Sequence, residues 1–69
     1  MIDKREFRKR TRALFLKRNP DARMRWLCAR WVTYPTGAQG WQGRFEASAP
    51  GHRTSILIAQ GDESYIRIA

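Results

Sequence analysis

Chemically reactive side chains are scarce in this chain. Cys28 is the one cysteine and His52 the one histidine among 69 residues. One cysteine closes no internal disulfide, and the two residues together fall short of the four ligands of a structural zinc site. The expectations are a reducing compartment, no metal and no cofactor. Cys28 is expected as a small buried hydrophobe, and His52, beside Pro50 and Gly51, as a turn residue. Acids are few as well, six Asp or Glu against 14 Lys or Arg. Asp3 and Glu6 have the spacing of a helix cap, which leaves no carboxylate pair for acid/base work. Ser48, Ser55 and Ser64 would all depend on His52 as base, with no nucleophile turn around any of them. A non-enzyme is the reading. Long apolar runs are also lacking: none exceeds about four residues, whereas roughly 20 are needed to span a bilayer. No signal-peptide pattern opens the chain, so no membrane span and a cytoplasmic location are expected.

What the chain has in excess is positive charge, and it is unevenly placed. The net charge is +8. Residues 1 to 25 hold ten Lys or Arg against Asp3, Glu6 and Asp21, which is +7 and leaves +1 for the remaining 44. Such asymmetry points to an anionic partner. Three tryptophans and 12% aromatic residues supply enough apolar bulk to expect a single folded domain over residues 1–69 rather than a basic tail.

The opening stretch reads as a helix. Asp3 and Glu6 form a capping-box pair, with Ile2 and Phe7 placed to staple the helix start. Lys17 and Arg18 suit the negative end of the helix dipole, and Asn19 before Pro20 ends the helix near Arg18. On a helical projection Phe7, Thr11 and Leu14 make the buried stripe, with Phe15 near its edge. Arg5, Arg8, Lys9 and Arg12 recur at i, i+3, i+4 and i+7 on a second face free of acid. Glu6 precedes Arg10 by four residues, the favourable order for a helical ion pair.

The remainder reads as strands and turns. Residues 20–32 fit either a second helix, with Met24, Leu27, Cys28 and Trp31 along one face, or a strand in which Met24, Trp26, Cys28, Val32 and Tyr34 alternate, interrupted by Arg30; the aromatic and β-branched content favours the strand. Pro35, Gly37 and Gly40 mark a hairpin loop. Trp41, Gly43, Phe45 and Ala47 alternate with polar partners up to Ser48. Pro50 and Gly51 suit a type II turn. Thr54–Ala59 and the Ile66–Ile68 pair make two further strands. The fold expected is α+β: one N-terminal helix packed on a three- to four-stranded antiparallel meander, in two layers.

Function follows from charge rather than from a motif. The Gly37, Gly40, Gly43 series lacks the lysine and the helix start of a phosphate loop. The leading expectation is a small binding protein that contacts nucleic-acid phosphates, DNA or RNA, through Arg5, Arg8, Lys9 and Arg12, extended by Lys17, Arg18, Arg23 and Arg25. Base specificity is not expected, because that face holds no Asn or Gln to read adenine. The alternative is a protein-interaction module whose basic helix meets an acidic protein. The sheet face away from the helix is expected to carry Leu27, Trp31, Arg44, Leu57, Tyr65 and Arg67. It would serve either base stacking or, better for its leucines, contact with a second copy in a homodimer.

Overall fold

The chain forms one helix and four strands in a computed structural model that describes residues 2–69. Helix α1 spans Lys4–Arg18, and strands β1 (Arg23–Thr33), β2 (Gln39–Ser48), β3 (Ser55–Gly61) and β4 (Ile66–Ile68) follow as an antiparallel meander in the order β1-β2-β3-β4. The helix covers one face of the sheet. This is the two-layer α+β arrangement read from the sequence, and residues 23–33 are strand, not helix.

The helix starts where its cap chemistry dictates. Asp3 is extended, and its carboxylate accepts the Glu6 N–H at 2.8 Å. The return half of the capping box does not form: Glu6 Oε1 instead accepts Arg10 Nε at 3.1 Å. Ile2 and Phe7 are both buried, and Trp41 Nε1 donates to the Ile2 carbonyl at 2.9 Å, which ties the helix start to β2. Removing the one cap bond, as in Asp3→Ala, is expected to lower stability by about 0.5–2 kcal/mol, read as a shift of the urea midpoint with an unchanged slope.

Phe7, Thr11 and Phe15 are the buried helix residues, whereas Leu14 is only half-buried. The row is i, i+4, i+8, displaced from the expected Phe7–Thr11–Leu14 stripe because Phe15 meets Phe45 of β2 edge-on at 5.2 Å. Thr11 sits in this apolar row without penalty, since its hydroxyl donates to the Phe7 carbonyl at 2.7 Å. Phe45 also touches Trp26, and Phe7 lies between Trp26 and Trp41, so an aromatic cluster fills most of the core. Gly43 makes room for it. A Cβ there would stand 2.6 Å from the Trp26 ring and 3.3 Å from Phe7.

One irregularity governs the rest. The β1–β2 register runs from Arg23↔Ser48 to Trp26↔Phe45 and resumes at Cys28↔Arg44, so Leu27 is an extra residue. This bulge inverts the alternation of β1. Met24 and Trp26 face the helix before it, and Ala29 and Trp31 after it. Ala29 pairs with Gly43 and is buried, and Trp31 pairs with Trp41 and packs against its ring at 5.4 Å. Cys28 is therefore turned to the outer face and is exposed, contrary to its reading as a buried hydrophobe. At the other hairpin Gly51 has φ +80° and the His52 N–H donates to the Ala49 carbonyl at 3.1 Å, the turn that Pro50 and Gly51 suggested.

Candidate nucleic-acid interface

The exposed side of α1 carries Arg5, Lys9 and Arg12, and Lys17 and Arg18 are exposed in its last turn; none of the five has an acidic partner within ion-pair distance among the described residues. Cations three and four positions apart on a helix repel one another, so the arrangement is set by something other than helix stability. Arg8 does not belong to this group. It is half-buried, and its guanidinium carbon lies 5.7 Å over the Trp26 ring, with the Nε sealed from solvent. The cause is rotational: Arg8 lies 100° from Phe7 and only about 20° from Phe15 around the helix, at the margin of the buried row. Arg10 is engaged as well. Besides its pair with Glu6 it donates to the Glu63 carbonyl at 3.1 Å, bracing the β3–β4 turn against the helix.

Arg23 and Arg25 do not extend the helix face. Phe45 faces the helix, so Glu46 and its partner Arg25 face away from it, and Arg23 lies two residues from Arg25 on the same side. Arg44 and Arg67 are on that outer face too. Among the strand residues of this face Glu46 pairs with Arg25 at 3.5 Å, and Asp21 lines a surface depression with Arg23 at the start of β1, whereas Arg30, Arg44 and Arg67 have no ion pair among the described residues. Of the three acids that bring the last 44 residues to +1, Asp62 and Glu63 lie between β3 and β4 and not on this face.

Two residues assigned to this outer face are not there. Leu57 pairs with Phe45 and packs against the core on the helix side. Trp31 is on the helix side through the bulge at Leu27, which itself is exposed. The apolar set invoked for a sheet-face dimer is thus not assembled. In its place stands a row read straight across four strands, Arg30↔Gln42↔Gln60↔Arg67. Arg30, Gln42 and Gln60 were missed by sequence reasoning. Arg30 was itself the signal, since a charge at an inward position of an otherwise alternating strand marks a change of phase.

At one end of this row two tyrosines meet the surface. Tyr34 donates its hydroxyl to the Trp41 carbonyl at 3.4 Å, and its ring lies over Gly40, where a Cβ would stand 3.7 Å away. Burial pushes the Tyr34 phenol above its ordinary value. Tyr65 is 69% exposed. It is held there by a tightly bonded turn: Asp62 Oδ1 accepts the Ser64 N–H at 2.9 Å and its hydroxyl at 2.8 Å, and the Asp62 N–H donates to the Tyr65 carbonyl at 3.0 Å. Gly61, at φ +149°, lets the chain double back, since a Cβ there would collide with the Tyr65 carbonyl.

These bonds hold the Asp62 carboxyl below its ordinary value, the Ser64 backbone N–H contributing most. A lowered folded-state value means the turn is fully stabilised above the ordinary carboxylate range and loses that contribution as pH falls through the folded value. Amide exchange at Ser64 is accordingly expected to accelerate on acidification below about pH 3.9, relative to Asn19, whose N–H donates to the Phe15 backbone carbonyl, and Asp62→Asn is expected to remove most of that difference.

Among the described residues no helix is long and apolar enough to cross a membrane, and no three His, Cys, Asp or Glu side chains converge to hold a metal ion. Comparison with protein-family models, with curated proteins and with solved structures gives no match for this chain.

Proposed function

We propose that this protein binds nucleic acid through phosphate contacts made by the exposed side of α1. The observation that carries the reading is the set Arg5, Lys9, Arg12 and Lys17, exposed along 13 residues of one helix with no acidic partner within ion-pair distance among the described residues. Unpaired cations at helical spacing match a backbone of regularly repeating phosphates, and their neutralisation releases counterions on binding. Arg8 and Arg10 take no part, being held by Trp26 and by Glu6 with the β3–β4 turn.

The test is titration of the whole chain with duplex DNA, single-stranded DNA and RNA at low salt, repeated as salt is raised. Binding is expected to weaken linearly in log K against log salt, by roughly 0.9 per phosphate contacted on duplex DNA. Absence of binding to all three at low salt overturns the proposal and leaves an acidic protein as the partner for the same cations.

A further inference from the structure

We infer that the outer sheet face binds a single-stranded nucleic acid, with an unpaired base seated in the cleft between Tyr34 and Tyr65. This rests on the nucleic-acid reading above and deepens it by naming the form of nucleic acid and a second site. Tyr34, Gln60, Gly61, Tyr65 and Arg67 line the cleft. It is a shallow, open depression whose lining combines two aromatic rings with an amide and a guanidinium.

Each part has a chemical use toward a base. Tyr65 is a large ring kept out of the core by a turn with three internal hydrogen bonds and a brace from Arg10. A ring so exposed forgoes burial that the core would reward, and its face is free for stacking. The Tyr34 ring lies over Gly40 with its hydroxyl 3.4 Å from the Trp41 carbonyl, which sets it against the sheet. The Gln60 amide offers both a donor and an acceptor to a base edge. Arg67 and, at the far end of the same row, Arg30 supply charge for the flanking phosphates, with Arg44 one row further. Paired bases stack on one another inside a duplex and present no free face, so the rings select an unpaired strand. An acidic peptide would use the arginines but has no group that calls for two rings and an amide.

The experiment compares three probes of equal phosphate number: a single-stranded DNA of about 12 nucleotides, the same strand made abasic, and a duplex. Tyr65→Ala, at an exposed position and with an unchanged circular dichroism spectrum as the check on folding, is expected to weaken binding of the intact strand by roughly 5- to 150-fold and to leave the abasic strand and the duplex unchanged. Tyr65→Phe is expected to keep the wild-type affinity. Equal binding of intact and abasic strands, with no effect of Tyr65→Ala, overturns this inference and leaves the helix reading standing. Failure to bind any of the three removes both.

Discussion

Phe45→Ala is expected to remove a large part of the stability of the fold. The Phe45 side chain is fully buried and lies 5.2 Å, centroid to centroid, from both Phe15 of the helix and Trp26 of β1. It is therefore a central contact between the two layers, beside that of Phe7 with Trp26 and Trp41. Truncation of a buried phenylalanine costs about 3–5 kcal/mol, and this site has little means to collapse, because its neighbours are held by the close approach of Trp26 to Gly43. A domain of this size has roughly 3–10 kcal/mol in total, at about 0.05–0.15 kcal/mol per residue. The melting temperature is expected to fall by about 12–40 °C, at roughly 4–8 °C per kcal/mol. Ile56→Ala is the matched control. Ile56 is 63% exposed on the outer face and should change stability by no more than about 0.5 kcal/mol. Thermal melts of the two variants followed by tryptophan fluorescence decide the point; a similar small shift for both would mean that the layers are joined elsewhere.

The parts of the fold legible in the sequence are those set by local chemistry. The Asp3 cap, the stop before Pro20, the Pro50–Gly51 turn and the strict alternation of β2 each depend on residues within a few positions of one another, and each stands where expected. What was not legible depends on a contact partner. The choice of Phe15 over Leu14 for the core follows from where Phe45 sits, and nothing inside the helix specifies that. The bulge at Leu27 had a local trace in Arg30, but its effect, moving Trp31 under the helix side and Cys28 out, depends on the β1–β2 register.

The same limit applied to the cations. In sequence they form one N-terminal cluster; in the fold they separate into a helix side and an outer sheet side that face opposite directions. Arg23 and Arg25 join Arg30, Arg44 and Arg67, a group drawn from β1, β2 and β4. No window along the chain contains that group. The charge of +1 over the last 44 residues conceals it, since the opposing Asp62 and Glu63 lie in a turn rather than on the face.

The triple substitution Arg5→Gln, Lys9→Gln, Arg12→Gln is expected to reduce the salt dependence of duplex binding by about 2.7 in the log–log slope, three contacts at roughly 0.9 each. All three side chains are exposed and unpaired among the described residues, so the fold should be unharmed, and relief of like-charge repulsion along the helix should slightly raise its stability. Arg8→Gln gives the opposite pattern. It removes the cation held 5.7 Å over Trp26, which costs stability by about 0.5–2 kcal/mol, while leaving the salt slope almost as it was. The contrast between neighbours on one helix separates contact from folding: a general loss of charge would lower the slope in both variants, whereas a contact surface lowers it only in the first. An unchanged slope in the triple variant would move the phosphate contacts off the helix and onto Arg23, Arg30, Arg44 and Arg67 on the outer face of the sheet.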